Sequence, residues 1–287
     1  MPTSLAKNLL AAALWMMLGT AAFLGLMVGV RELAATLSVF EMLTLRSVVA
    51  FGILLLLTRY FDRPVYTTAR FSLHVARNFF HFVGQYCWAV GVILLPLAEV
   101  IAIEFTTPIW IVLLACLFLN EKLTVARIGA LVAGIIGVCI IVRPGFEELQ
   151  WGTMVVFIAT IGFAITSFST KKLTQTESAW TILVYMSVLQ FFIGIGPTLY
   201  HWVWPAGLDY FWIFEIGVCG LLAHLGLTKA LSLADTATIL PLDYIRLPAT
   251  FLIGYLFYEE AVDSLVLAGA SVIFAANYFH LRQEARR

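Results

Sequence analysis

Long runs of apolar residues alternate with brief polar stretches along the whole chain. Each run is about 20 residues long, the length that a helix needs to cross roughly 30 Å of hydrocarbon. The pattern predicts an all-α membrane protein with ten transmembrane helices, whose polar connections are too short to hold a soluble domain. The predicted spans are residues 8–30, 38–58, 72–94, 96–119, 125–142, 151–170, 179–200, 209–230, 236–258 and 263–281.

Composition agrees with a chain whose surroundings are the lipid bilayer. Of 287 residues, 62% are hydrophobic and 12% are charged, whereas about a quarter are charged in a soluble domain. The formal net charge is zero, so no concentrated basic surface exists for nucleic acid, and we exclude that partner. The four cysteines lie inside apolar runs without C-x-x-C spacing. We therefore expect no disulfide, no metal site and no cofactor.

Basic residues gather at one set of helix ends. If the N-terminus is cytoplasmic, most of the 17 Lys and Arg residues lie on the cytoplasmic side, and outside the spans only Arg31 and Arg143 lie near the outer side. Membrane proteins show this excess of positive charge in their cytoplasmic loops. We predict that both termini are cytoplasmic and that the first apolar run is a retained helix, since it has no small-residue cleavage site.

The chain contains an internal repeat. A shift of 139 or 140 residues pairs Glu104 with Asp243 and Pro108 with Pro248. Each half holds five spans, an odd number, so equivalent helices are predicted to run in opposite directions. Such inverted repeats are typical of transporters, whose binding sites lie near the bilayer midplane where the halves meet. The two predicted five-helix repeats are residues 1–146 and 147–287.

Four charged residues lie near the middle of spans, namely Arg46, Glu104, Asp243 and Arg246. Each costs roughly 2.5 to 3.5 kcal/mol at the centre of a helix in the membrane, so we expect them to pair or to line a wet cavity. Asp243 and Arg246 are at i and i+3, where they can form an ion pair that does no more than neutralise both charges. The alternative is a solute site. Glu41, on the same span as Arg46, is a further candidate for that site.

Two prolines follow the acidic positions closely. Pro108 comes four residues after Glu104, and Pro248 comes four residues after Tyr244. A proline has no backbone N–H, so each frees a carbonyl group of the preceding turn. We expect polar backbone beside both acids, and we expect the Tyr244 ring, together with Trp88, to offer flat surfaces for a solute ring.

The third span carries one polar stripe. Its members, at helical spacing, are Arg77, His81, Gln85 and Trp88. A polar stripe on an apolar helix is expected to face the interior of the bundle, where it can line a solute path. For Arg77 the alternative is that its side chain reaches the cytoplasmic interface. His81 has no second ligand at i+4, so we predict no metal there.

The fifth and tenth spans are rich in small residues. Examples are Gly134 and Gly137 in the first of them, and Gly269 and Ala276 in the second. Small residues four apart allow two helix backbones to approach closely. These spans are predicted to serve either as scaffold contacts within the chain or as the contact of a homodimer.

Short segments spread over nearly the whole chain carry a family resemblance. They are Phe40-Glu41, Arg46, Leu97-Ala98, Thr107-Pro108, Leu119-Asn120-Glu121-Lys122, Gly137-Val138, Arg143-Pro144-Gly145, Lys171-Lys172 and Ala234-Asp235-Thr236-Ala237. Together they resemble the drug/metabolite transporter superfamily in its ten-helix EamA-type branch. Their spacing is most similar to S-adenosylmethionine-uptake-like and riboflavin-uptake-like members. The resemblance implies a carrier for an organic metabolite in the inner membrane of a bacterium.

The sequence therefore predicts a secondary transporter that moves a small organic metabolite by alternating access. The solute classes considered are nucleoside-like, S-adenosylmethionine-like, flavin and amino acid. Two alternatives are a membrane-embedded enzyme and a non-transporting, channel-like protein. Against the enzyme, the chain has no G-x-S-x-G and no H-E-x-x-H sequence. A coupling proton, the direction of transport and the oligomeric state are left open.

Overall fold

A computed structural model describes residues 2–58, 67–119, 125–143, 150–234, 242–261 and 263–284. Within these ranges the chain forms helices and connecting turns, with no strand. The helices are α1 (Pro2–Leu33), α2 (Val39–Thr58), α3 (Phe71–Leu94), α4 (Leu97–Glu104), α5 (Thr107–Leu119), α6 (Val125–Val142), α7 (Trp151–Leu173), α8 (Ala179–Tyr200), α9 (Asp209–Leu233), α10 (Arg246–Tyr258) and α11 (Ser264–Glu284).

The predicted all-α membrane fold is confirmed. Among the described helices, α1, α2, α7, α8 and α9 each contain a segment long and apolar enough to cross a bilayer. Helix α3 has 24 residues, but its polar stripe lowers its mean hydropathy. The fourth predicted span differs from the single helix expected, because α4 and α5 divide it. Helix α10 is the second half of the ninth span, whose predicted start at 236–241 lies outside the described residues.

The helices pack in pairs that a twofold axis between the two halves would produce. Helix α1 runs along α9, and α3 runs along α7 in the corresponding way. Helix α2 packs on α8, α6 on α11 and α4 on α10, and each of these pairs joins equivalent helices of the two halves. The division into two repeats stays a prediction, and this pairing is consistent with it.

Two helix corners at repeat-equivalent positions have the same local structure. The carbonyl oxygens of Leu33 and Leu173, at the ends of α1 and α7, each accept the backbone N–H four residues later at 2.9 Å. Ser38 and Ser178 then precede α2 and α8, and each hydroxyl oxygen accepts the N–H three residues later, at 3.3 and 3.1 Å. Such a serine satisfies a donor that the first turn of a helix leaves free. The two corners therefore begin the next helix by the same means.

Glycines allow the closest helix approaches. A Cβ atom on Gly226 of α9 would lie 2.7 Å from the Cα of Gly19 on α1, so only glycine fits at this crossing. Between α6 and α11, a Cβ on Gly137 would lie 2.7 Å from the carbonyl oxygen of Gly269. The small-residue faces of the fifth and tenth spans thus pack against each other within the chain, as a scaffold contact.

Candidate solute-binding site

Two interruptions of helix meet in the middle of the bundle. Helix α4 ends at Glu104 and α5 begins at Thr107, whose Oγ1 donates to the Glu104 carbonyl oxygen at 2.6 Å. This bond replaces the backbone donor that Pro108 lacks. In the ninth span a turn at Tyr244 and the residue after it precedes α10. Because α4 packs on α10, the two interruptions lie side by side.

One arginine joins the two acids at these interruptions. The Arg246 guanidinium donates through Nη1 to Glu104 Oε1 at 2.9 Å, and its Nη2 lies 2.6 Å from Asp243 Oδ2. Arg246 and Glu104 are buried. The predicted pairing of Asp243 with Arg246 is present, and Arg246 also links the two halves of the chain. One cation facing two carboxylates leaves this group with one formal negative charge; we call these three residues the acid cluster.

The second carboxylate oxygen of each acid accepts a hydrogen bond from a neutral donor. Trp88 on α3 donates its indole N–H to Glu104 Oε2 at 3.1 Å, and Thr20 on α1 donates its hydroxyl to Asp243 Oδ1 at 3.0 Å. Both bonds come from helices of the first half. Thr20 was not predicted as a site residue, and its only signal in the sequence is a polar side chain inside an apolar run.

Aromatic rings surround the acid cluster. The Arg246 guanidinium carbon lies 4.4 Å from the centre of the Phe23 ring and 5.4 Å from that of Phe105, within the range of cation–π attraction. The Tyr244 ring packs 4.7 Å from Phe105 and 4.6 Å from Phe274. A groove of about 360 Å³ beside the interruption is lined by Tyr244, Pro248 and the same two phenylalanines, among others.

A second polar cluster is centred on Arg46 of α2. Its Nη2 donates to Gln85 Oε1 on α3 at 2.7 Å and to Gln190 Oε1 on α8 at 2.9 Å. The Gln190 amide in turn lies 2.9 Å from His81 Nδ1. Gly220 of α9 leaves room for the arginine, since a Cβ there would lie 3.3 Å from Arg46 Cδ. Gln190 was not predicted, because an uncharged amide is a weak signal in an apolar run.

Arg77 extends this second cluster along α3. Its Nε donates to Thr170 Oγ1 at 3.0 Å and its Nη1 to Asn78 Oδ1 at 2.8 Å. Arg77 is 3% exposed, and its bonds stay within the helix bundle. The His81 ring lies 5.1 Å from the ring of His224 on α9. We call Arg46, Arg77, His81 and their amide partners the arginine cluster.

Glu41 lies apart from both clusters. Its carboxylate is buried in the first turn of α2, and Oε1 accepts the backbone N–H of Val203 at 3.1 Å. In the structure this acid therefore ties the loop after α8 to the bundle. The other predicted residues belong to one of the two clusters or, like Trp88, Tyr244 and the two prolines, lie beside the acid cluster. The stripe from Arg77 to Trp88 on α3 connects the two clusters.

Comparison with known proteins assigns the class. Residues 10–143 match the EamA-like transporter family. The riboflavin transporter of Rhizobium johnstonii is 32% identical over 215 residues, which are 75% of this chain and 71% of that protein. The S-adenosylmethionine uptake transporter of Rickettsia felis is 26% identical over 256 residues, 89% of this chain and 87% of that protein. The molecule is thus a multi-pass membrane transporter and not an enzyme.

The chain belongs to the EamA-like transporter family, within the drug/metabolite transporter superfamily. A protein of known crystal structure has the same fold, with a TM-score of 0.67 at 13% sequence identity over 98% of each chain. At this identity the likeness concerns the fold alone. The family match falls within the first of the two predicted repeats.

Proposed function

We propose that the protein is a secondary carrier that moves a small organic metabolite across the inner membrane of a bacterium by alternating access. The observation that carries this proposal is the meeting of two helix interruptions around Arg246, with Glu104 and Asp243 as its partners. Discontinuous helices at equivalent positions of two repeats are characteristic of transporter binding sites near the midplane. In alternating access the site must open to each side in turn, so the ion pairs of Arg246 must break and form again. A bound solute can then take the place of one partner in an ion pair.

The two repeats, residues 1–146 and 147–287, provide the moving parts of this mechanism. In the proposal they rock against each other and expose the acid cluster to each side in turn. The paired packing of the helices and the matching corners at Ser38 and Ser178 support this division. A solute that binds the acids must compete with Arg246, so binding and rearrangement of the cluster are coupled.

The relatives and the site support the solute classes in this proposal. S-adenosylmethionine and riboflavin, named for two relatives, both contain flat heteroaromatic rings and polar groups. Trp88 and Tyr244 offer aromatic contacts, while Glu104 and Asp243 attract a cationic group such as an amine or sulfonium. Nucleoside-like, S-adenosylmethionine-like, flavin and amino-acid solutes remain in this proposal, because a shared fold does not fix a substrate.

Uptake into liposomes tests the proposal. Purified protein is reconstituted, and entry of radiolabelled S-adenosylmethionine and riboflavin is followed against protein-free liposomes. We expect saturable uptake of at least one of them, reduced in Glu104→Gln and in Trp88→Phe, which keeps a ring but removes the N–H donor. Trp151→Phe is the matched control, since Trp151 is the exposed first residue of α7. Uptake that rises linearly with concentration would indicate a channel instead.

Proton coupling is also part of the proposal, and the same liposomes can test it. A pH gradient is imposed in either direction, and uptake by the wild type is compared with uptake by Glu104→Gln. Coupling through this acid predicts a gradient response in the wild type only. Equal uptake with and without the gradient would remove the proton from the mechanism.

The arrangement in the membrane completes the proposal, with both termini cytoplasmic. Protease treatment of inside-out and right-side-out vesicles should remove a C-terminal tag only from the inside-out ones. A homodimer remains a prediction, and light scattering of the detergent-solubilised protein can test it by measuring the mass of the particle. The glycine faces that suggested it are occupied within the chain, at Gly137 and Gly269.

A further inference from the structure

Two buried arginines of the helix bundle lack a compensating acid among the described residues. Arg46 is 5% and Arg77 is 3% exposed, and neither forms an ion pair within the described part of the chain. Their partners there are the neutral side chains of glutamine, asparagine and threonine. A buried charge on a membrane-spanning helix is costly, and such residues normally pair or line a pathway. The positive charge of this cluster is therefore open to a ligand.

The arginine cluster also has unused donors. Arg46 employs only Nη2, toward Gln85 and Gln190, while its Nε and Nη1 have no partner among the described residues. These atoms are not sealed in: the fully buried unpartnered atoms include Nε of Arg246 but none of Arg46. The Gln190 amide donates to His81 Nδ1, so a neutral His81 carries its proton on Nε2, as another donor. Nε and Nη1 of Arg46 are therefore donors that a water molecule can reach.

The arginine cluster lies next to the acid cluster. Gln85, which bonds Arg46, and Trp88, which bonds Glu104, are three residues apart on one face of α3. At 1.5 Å per residue they are separated by about 4.5 Å along the helix axis. A positively charged region and a region with one formal negative charge therefore adjoin within the length of a small metabolite.

We propose that Arg46 and Arg77 bind an anionic group of the transported solute, a carboxylate or a phosphate. This inference rests on the proposed carrier function and narrows its substrates to organic anions and zwitterions. Hydrogen bonds from a guanidinium group to either kind of anion are charge-assisted, and so are stronger than bonds between neutral groups. In a zwitterion the anionic group lies at the arginine cluster, and the cationic group lies at Glu104 and Asp243.

Matched anionic and neutral probes test this assignment by ligand-induced thermal stabilisation of the purified protein. The probes are benzoate and phenyl phosphate, with benzamide as the uncharged counterpart of benzoate, at constant ionic strength. We expect one or both anions to stabilise the wild type at concentrations at least about tenfold lower than benzamide requires, since bonds between charged groups are the stronger ones. Arg46→Gln should lose this preference, and Arg46→Lys should keep part of it.

Two further variants complete the design. Arg70→Gln is the control, because Arg70 lies just before α3 and donates to the backbone oxygen of Lys172, and neither residue belongs to the arginine cluster. It should respond as the wild type does. Arg77→Gln supplies a second test of the cluster if Arg46→Gln does not yield a monodisperse protein.

The outcomes separate this inference from the carrier function. If benzamide stabilises the wild type as well as the anions do, or if Arg46→Gln and Arg77→Gln keep the anion preference, the assignment is overturned. Saturable uptake of riboflavin, which is uncharged at neutral pH, with no stabilisation by either anion would retain the carrier and reject the anion site. An anion preference without uptake of any solute would retain the site and reject the carrier.

Discussion

Replacing Arg246 by glutamine is expected to destabilise the protein far more than removing an arginine from an ion pair at the surface. The change leaves Glu104, which is buried, and Asp243 without their cation. Breaking a buried ion pair by removing one partner costs about 3 to 5 kcal/mol, because a charge is left uncompensated. The matched control is Arg143→Gln, whose ion pair with Asp263 has side chains 22% and 40% exposed. Such partly exposed pairs contribute about 0 to 1 kcal/mol.

The difference between the two variants is thus about 2 to 5 kcal/mol. At roughly 2 to 4 °C per kcal/mol for a chain of this size, Arg246→Gln should unfold about 4 to 20 °C below Arg143→Gln. The measurement is thermal unfolding of both variants in the same detergent and at the same heating rate. The double variant Glu104→Gln with Arg246→Gln should recover part of the loss, because one of the stranded charges is gone.

Two results would refute this reasoning about the acid cluster. One is an Arg246→Gln protein that unfolds within about 1 to 2 °C of Arg143→Gln. Ordinary surface substitutions change the free energy of unfolding by about 0.5 kcal/mol, which corresponds to such a shift in a chain of this size. The other is a double variant whose loss equals the sum of the two single losses. Residues in contact normally show a coupling energy in such a cycle, whereas independent sites add.

Three other substitutions test the packing and the symmetry of the bundle by thermal unfolding. Gly226→Leu should lower the free energy of unfolding by at least about 1 to 3 kcal/mol, the range for overpacking, because α1 occupies the space. Gly196→Leu is its control and should be nearly neutral, since no atom lies within 4 Å of a Cβ at that position. Ser38→Ala and Ser178→Ala should each cost about 1 kcal/mol and add, and a silent cap at either corner would contradict their equivalence. Thr20→Val should cost about 1.5 kcal/mol, the lower limit for a bond to a charged group, and no loss would mean that Asp243 finds another donor.

The helix boundaries were largely predictable because apolar runs end abruptly in this chain. The predicted spans 125–142 and 179–200 have the bounds of α6 and α8, since charged, proline or glycine residues flank both runs. Helix α7 extends to Leu173, beyond the predicted end at 170, because Lys171 and Lys172 continue the helix after the apolar run stops. Charge alone marks the membrane boundary and does not end a helix.

Side-chain contacts across the bundle were only partly predictable. The pairing of Asp243 with Arg246 follows from their spacing of three residues, whereas the link to Glu104 depends on how α4 packs on α10. Glu41 was placed in the cavity because it shares a span with Arg46. Five residues on a helix turn the side chain by about 140°, so the two point to different faces. Spacing within one helix therefore predicted which side chains of that helix can pair. Contacts between helices depend on how the helices pack, which the local sequence does not reveal.

The ion pair between Glu104 and Arg246 joins residues 142 positions apart in the chain. At about 5 to 20 residues per second, a ribosome synthesises Arg246 roughly 7 to 28 seconds after Glu104. Helix α4, with eight residues, is too short to cross the bilayer alone, so it must be inserted together with α5. During biogenesis the first half of the chain therefore enters the membrane before Arg246 is synthesised, so Glu104 lacks this cation at that stage. The interruption at Glu104 acquires its final surroundings only when the second half has been inserted.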